Sequence, residues 1–566
     1  MTKEKIIIYQ LLPRLFGNKN TNLVLNGSRV ENGSGKFSDI THKALREIKK
    51  MGVNHIWYTG IIEHAIAEGY PEHGILKGNP LVIKGKAGSP YAIADYYDVN
   101  PDLSDNVNER MEEFQELVSR THQNGMKAII DFVPNHLARE YKSDKNPKGT
   151  KDFGEVDDKN KSFSATNNYY YLPNEELKLP QELQDKFPNQ QYTENPAKAT
   201  GNDQFSAYPN SNDWYETVKL NYGIDYLNGH AKHFDPIPDT WHKMKDILLY
   251  WAQKGVDGFR CDMAEMVPVE FWNWAIGELK HEFPDILFIA EVYNPQLYES
   301  YIRQGKFDYL YDKVGLYDTL KAVIRNEQPA RNISNCWQAL NGLDQHMLRF
   351  LENHDEQRIA SRFFSGETQK AIPAMMVSTC LHKGPAMIYF GQEVGEPAVG
   401  ESGFSGDDGR TTIFDYWNVP EHQKWMNGGA FDEGLLSASQ INLRKSYAEL
   451  LQLGQEPAIS TGEFYDIMWQ NTNMNSFNSD RIYAFLRHTK NQKLLIICNF
   501  DSQTQFPHVV IPSHALEVMQ IPRPIKISLT DKLSSYATTI GTEELINQGV
   551  KLEISAYNSL ILELKY

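Results

Sequence analysis

Eight short apolar runs lie between residues 6 and 390, at 6–9, 55–58, 127–133, 256–261, 286–290, 309–311, 347–351 and 386–390. Each is too short for a helix and reads as a β-strand buried on both faces. Between them run longer stretches in which apolar residues return every three or four positions, the period of an α-helix. Residues 44–51, 107–124, 241–254 and 268–283 follow that pattern, and the last opens on Pro268, which suits the first turn of a helix. Strands separated by helices pair in parallel, because the chain must cross back before adding the next strand. Eight such strands close on themselves, so a (β/α)8 barrel is expected in place of an open doubly wound sheet.

Two regions break the alternation. A βα unit needs roughly 30 residues, yet the third run ends at Val133 and the fourth begins at Val256. The intervening residues 138–221 are rich in Asn, Lys, Asp and Tyr and show little periodicity. A connection of that length predicts a lid or a small inserted domain, leaving the end of strand three where barrel enzymes place their sites. After a helical stretch at 434–453 the chain changes character: 481–487, 494–499, 508–511 and 559–564 are strand-like runs between turn residues, with almost no helical signal. We therefore expect a barrel from residues 1–136 and 221–460, an inserted domain at 137–220, and a C-terminal antiparallel β-domain at 461–566.

Charge narrows the partners. The formal net charge of −16 repels phosphate backbones and anionic lipid, which argues against nucleic acid and membrane surfaces and favours neutral ligands. The N-terminal run Ile6, Ile7 and Ile8 is too short for a signal-peptide core and reads as the first strand. Cys261, Cys336, Cys380 and Cys498 have neither paired nor metal-type spacing, and three of them sit inside apolar segments as small hydrophobes, so a reduced, cytoplasmic protein is expected.

Polar residues crowd the ends of four predicted strands. Strand three closes as Asp131-Phe132-Val133-Pro134-Asn135-His136, strand four as Gly258-Phe259-Arg260-Cys261-Asp262, strand five as Ile289-Ala290-Glu291, and strand seven as Leu351-Glu352-Asn353-His354-Asp355. Singly, each has a plain reading: an aspartate at a strand end is more often a helix cap than a catalyst. In a barrel the four ends converge on one funnel. Acetal cleavage suits such a cluster, since one carboxylic acid must protonate the leaving oxygen while another carboxylate stays ionised at the anomeric carbon. Arg260 precedes Asp262 by two residues, so both point to the same face, and its guanidinium would hold Asp262 ionised. That favours Asp262 as nucleophile, Glu291 as proton donor and Asp355 as the stabiliser of positive charge on the sugar. Cys261 should face the helices by the same alternation.

These segments resemble, in order, the four signature motifs of the α-amylase family of glycoside hydrolases: residues 131–136, 258–262, 290–291 and 353–355. Residues 88–96, 219–221 and 391–393 resemble further motifs of that family. The resemblance runs from about residue 5 to 460 and implies the same (β/α)8 barrel with an inserted domain and a β-rich tail. It implies the roles assigned above to Asp262, Glu291 and Asp355. It also implies that Tyr91 stacks on the sugar while His136, Arg260 and His354 bind or orient around it. The reaction implied is retaining hydrolysis of α-1,4-glucosidic bonds in starch, glycogen or maltooligosaccharides. A transglycosylase of the same family shares the trio, and a non-catalytic sugar-binding relative would be expected to have lost it.

The sequence departs from the family at three places. Many relatives hold a structural calcium with the equivalents of Asn135 and a histidine four residues after the nucleophile; here that position is Met266, a poor calcium ligand. Glu265 stands where many relatives carry a lysine that contacts the next sugar. Residues 17–22 resemble another calcium loop, with asparagine in place of aspartate. No cofactor is expected to be required, no metal ligand is assigned, and a structural calcium is the one ion the resemblance raises.

Overall fold

The structure, a computed structural model, describes residues 4–404 and 406–566. Eight parallel strands form the centre: β1 (Ile7–Leu11), β2 (His55–Tyr58), β3 (Lys127–Phe132), β4 (Gly258–Cys261), β5 (Leu287–Ala290), β6 (Tyr309–Tyr311), β7 (Met347–Leu348) and β8 (Ala386–Tyr389). Their order in the sheet is β7-β6-β5-β4-β3-β2-β1-β8, and a parallel bridge from Arg349 to Ala386 joins the two ends. The expected (β/α)8 barrel is present. Six of the eight strands differ from the sequence reading by a residue or more at one or both ends, and β7 is the shortest because pairing beyond Leu348 reduces to that bridge.

Register decides which side chains meet inside. Gln10 on β1 lies opposite Trp57 on β2, and Trp57 opposite Ile129 on β3. Asp131 lies opposite Arg260, and Arg260 opposite Ile289. Paired residues of a parallel sheet share a face, and the period of two carries that face on to Asp262 and Glu291 just past the strand ends. Asp131, Arg260, Asp262 and Glu291 thus gather at the upper rim of the barrel.

Helices cover the outside. In α1 (His42–Lys49), Thr41 caps the first turn by accepting from the Ala44 amide at 3.1 Å, and Ala44, Leu45 and Ile48 turn inward. The longer α2 (Arg110–Gln123) and α3 (Asp239–Gln253) meet where Phe114 packs edge-on against Trp251, with ring centres 5.5 Å apart. Trp251 is wholly buried, and its indole N–H donates to the Tyr96 carbonyl at 2.8 Å.

The excursion after β3 opens and closes as one ribbon: His136–Ala138 pairs antiparallel with Thr217–Lys219, placing His136 opposite Lys219. A small apolar cluster of its own, Leu177, Leu179, Ala197, Ala207 and Tyr215, packs on Leu81 and Val82 from the connection after β2. The C-terminal region forms a six-stranded antiparallel sheet from β9 (Glu463–Asp466), β10 (Ile482–His488), β11 (Lys493–Asn499), β12 (Lys526–Asp531), β13 (Ala537–Gly541) and β14 (Ser559–Lys565), ordered β9-β10-β11-β14-β12-β13. The run expected at 508–511 shrinks to His508–Val509, which pairs with Val550–Lys551 outside that sheet. Three short helices, Met468–Asn471, Ser513–Val518 and Thr542–Asn547, sit where almost no helical signal is expected; four to six residues are too few to show a period. All four cysteines are buried and unpaired. No helix among the described residues is long and apolar enough to cross a membrane.

Trp251→Ala is expected to destabilise the protein by about 3–5 kcal/mol, through the cavity it leaves and the indole bond it removes. Guanidinium denaturation followed by circular dichroism reads the change; an unchanged midpoint would contradict this account of the α2–α3 packing.

Candidate active site

Arg260 rises from β4 into the centre of the upper rim, wholly buried. Its Nη2 lies 2.7 Å from Glu291 Oε2, and its Nη1 lies 3.0 Å from Asp262 Oδ1 and 3.4 Å from Asp131 Oδ1. Nε donates to the Tyr311 hydroxyl at 3.0 Å. The guanidinium also sits between 5.3 and 5.5 Å from the ring centres of Trp57, Tyr91 and Tyr311, within cation–π range. The planar fork of arginine lets one side chain serve several carboxylates. Here the sequence reading is corrected: Arg260 is not reserved for Asp262 but is divided among three carboxylates, and lies closest to Glu291.

That division sets the charge of Asp262. Burial first, and then the charge of Glu291, push its carboxyl well above the usual aspartate range, outweighing Arg260. Burial likewise raises Asp131 against the pull of Arg260. Asp262 Oδ1 faces the guanidinium, whereas its buried Oδ2 has no hydrogen-bond partner and stands 3.9 Å from His136 Nε2. Glu291 is better held: Oε2 accepts from the Met263 amide at 2.8 Å and Oε1 from the Tyr293 hydroxyl at 2.6 Å. Met263 adopts a left-handed backbone, φ 41°, an uncommon conformation for a non-glycine residue and one this bond helps to hold.

Asp355 stands on the other wall with its side chain 33% exposed. Burial works against its ionisation, but His354, Arg260 and Arg410 together hold its carboxyl below the ordinary range. His354 Nε2 lies 3.0 Å from Asp355 Oδ2 and 2.5 Å from the Tyr91 hydroxyl, while Gln10 Nε2 approaches its Nδ1 at 2.8 Å. Thr59 anchors the same Gln10 amide at 2.9 Å. The Tyr91 ring stacks on His354 with centres 5.3 Å apart. His136 packs against Trp214, and burial, with help from Lys219 and Lys84, lowers its pKa to about 3, so it stays neutral.

Together these side chains line a cavity of about 310 Å³. Tyr91, His136, Asp262, Glu291 and Asp355 form its floor and sides; Lys84, Trp214, Phe404 and Phe414 complete the walls from connecting segments. Such a volume is at the small end for a ligand pocket. A larger cavity of about 490 Å³ lies by Trp337, His382, Phe464 and Arg487 near the C-terminal sheet. Its charges are spent on neighbours: Arg487 donates to the carbonyls of Ala458, Leu381, Ile459 and Gly462, Glu463 pairs with Lys383, and Asp344 with Arg349. The chemistry-bearing cluster is therefore the smaller one.

All seven residues singled out from the sequence gather here. Gln10, Trp57, Tyr311 and Tyr293 also belong to the site but were not singled out. Gln10, a polar residue ending an apolar strand, was a usable signal; the residues from long connections had no period to betray them. Glu265, set where a sugar contact was weighed, accepts from the amides of Tyr293 and Asn294 at 3.2 and 2.9 Å. Among the described residues no group of three or more His, Cys, Asp or Glu could hold a metal ion.

A family model described as the alpha amylase catalytic domain matches residues 10–427. The chain belongs to the α-amylase family. Alpha-amylase 3 of Dictyoglomus thermophilum is similar to it at 24% identity over 439 residues, spanning 73% of this chain and 74% of its own. Trehalose-6-phosphate hydrolase of Bacillus subtilis is 22% identical over 583 residues, with 88% and 89% covered. Among solved structures, the maltogenic α-amylase AmyB from Thermotoga neapolitana shares the fold, with a TM-score of 0.61 at 20% identity and 100% of both chains covered. As a family member the chain is a glycoside hydrolase by class.

Removing Arg260 would leave the carboxylates buried without their common counter-charge. Arg260→Met is expected to cost about 3–5 kcal/mol of stability at neutral pH. The deficit should shrink as the pH falls, because protonating the carboxyls relieves the uncompensated charge. Melting temperatures of both proteins across pH test this, and a deficit independent of pH would refute it.

Proposed function

We propose that the protein is a retaining glycoside hydrolase acting on α-1,4-glucosidic bonds of starch, glycogen or maltooligosaccharides. The observation that carries this reading is the pairing of Asp262, with one oxygen free of partners, and Glu291 on a single guanidinium beside a sugar-sized cavity. Asp262 Oδ2 attacks the anomeric carbon as the glycosidic C–O bond breaks, and the carboxylic acid of Glu291 gives its proton to the departing oxygen. Asp355 faces the positive charge that develops on the ring, and a low carboxyl pKa keeps it anionic there. Water then attacks the same carbon and gives one proton to Glu291, and the ester to Asp262 breaks with net retention. Neutral His136 and the His354–Tyr91 pair are placed to hydrogen-bond the sugar hydroxyls. The aromatic walls of Tyr91, Trp214, Phe404 and Phe414 suit its apolar faces. A transglycosylase would run the first half identically and admit a sugar hydroxyl in place of water.

Incubation with maltoheptaose tests the reading. Only shorter sugars, first released as α-anomers, are expected; longer products would mean transfer, and β-anomers would overturn retention. Asp262→Asn should lower turnover by on the order of 10³-fold or more while leaving the melting temperature intact.

The acid limb of the pH–rate profile tests the charge arrangement. Asp262 must be ionised to attack, and burial with the Glu291 charge raises its pKa. Activity should therefore fail, as pH drops, well above the value near 4 of an ordinary aspartate. Glu291→Gln removes the proton donor, so natural glucans should turn over far more slowly, while α-glucosyl fluoride, which needs little protonation, should still form the covalent intermediate. Equal loss on both substrates would contradict the role of Glu291 as proton donor.

A further inference from the structure

Lys219 ends the ribbon that closes the inserted segment, and it is 1% exposed. Its ammonium contacts three oxygens from three separate parts of the chain. Asn135 Oδ1, just past β3, accepts a short hydrogen bond. Asp203 Oδ1, within the insertion, lies 2.8 Å away. The Met266 carbonyl, in the turn after Asp262, accepts at 3.3 Å. A lysine ammonium has three donors and no acceptor, so these three contacts use its capacity in full. An amide oxygen, a carboxylate and a backbone carbonyl are also the oxygens that a hard divalent cation collects.

We propose that the ammonium of Lys219 is the built-in cation of this place, standing where a structural calcium would otherwise tie the funnel wall together. The residues do not fit calcium as well as lysine. An ion there would have to displace a wholly buried side chain or sit against its positive charge, and Met266 contributes only its carbonyl. By this reading Lys219 is a positioning residue: it fixes Asn135 beside His136 on one side and the 263–266 turn beside Asp262 on the other.

The loop at 17–22 follows the same pattern with different donors. Gln423 Nε2 donates to the carbonyls of Asn18 and Asn20, both at 2.9 Å, and Asn418 Nδ2 to those of Thr21 and Asn22 at 3.1 and 3.2 Å. Asn18 Oδ1 accepts from the Asn20 amide at 3.0 Å, and Lys19 pairs with Asp39 at 2.5 Å. Oxygens that could have faced an ion face N–H groups.

Melting temperatures with EDTA or with millimolar calcium chloride test the proposal without reference to activity. The wild-type protein should melt at the same temperature in both. Lys219→Met, which keeps the chain and deletes the charge, should melt several degrees lower. Lys219→Asp adds a carboxylate to the three oxygens already gathered, and its melting temperature should rise with calcium while that of the wild type does not. A wild-type protein destabilised by EDTA and restored by calcium would overturn the proposal. So would Lys219→Met melting at the wild-type temperature, or a folded Lys219→Asp indifferent to calcium. If Lys219→Asp does not fold, the wild-type and Lys219→Met measurements decide.

Discussion

The upper end of the barrel is organised around one buried guanidinium. Placing carboxylates out of water costs several kcal/mol each unless a counter-charge meets them, and Arg260 meets Asp131, Asp262 and Glu291 at once. One positive charge cannot balance three negative ones. The remainder appears as the raised pKa of Asp262, where burial and Glu291 prevail over the arginine. A surplus of negative charge is what a reaction passing through a positively charged sugar requires, since it is lowered in energy only when that charge develops. The rings of Trp57, Tyr91 and Tyr311 around Arg260 keep the cation in place through their electron-rich faces and exclude water from behind it.

The barrel supplies this arrangement by register alone. Asp131 and Arg260 are level neighbours on β3 and β4, so their contact needs no special loop. Asp262 follows Arg260, and Glu291 follows Ile289, by the two residues that return a strand to the same face. Specific walls come from elsewhere: Lys84 from the connection after β2, Trp214 from the long insertion, and Phe404 and Phe414 from the segment after β8. Rigid strands hold the reacting groups while connections shape what can reach them.

This split explains how much could be read from the sequence. The strands were legible because an apolar run of three to seven residues between turn residues has few other uses, and their polar ends were legible because Asp262, Glu291 and His354-Asp355 interrupt apolar segments. The sharing of Arg260 was not, since it depends on how far β5 stands from β4, a spacing no single segment encodes. Lys219 looked like part of a closing motif and nothing more; its partners lie 84, 16 and 47 positions away. In the C-terminal sheet, β12 and β13 escaped notice: in Lys526–Asp531, beside the edge strand β13, buried positions alternate with partly exposed polar ones, which dilutes the apolar signal.

The two buried cations are mechanically joined through the turn that follows Asp262. Its first residue, Met263, takes the left-handed backbone and gives its amide to Glu291, the carboxylate nearest Arg260. Its last residue, Met266, gives its carbonyl to Lys219. Between them, Glu265 accepts from the backbone past Glu291 and so ties the turn to the β5 connection. A strained residue persists only where its surroundings over-determine it, and here every residue named is held by a different partner. The separation of Asp262 from Glu291, on which a retaining mechanism depends, is thus fixed by more than the two strands that carry them. Loosening the lysine at one end of the turn would free Met263 to relax toward an ordinary backbone, withdraw the amide from Glu291, and let that carboxylate lean further onto the arginine.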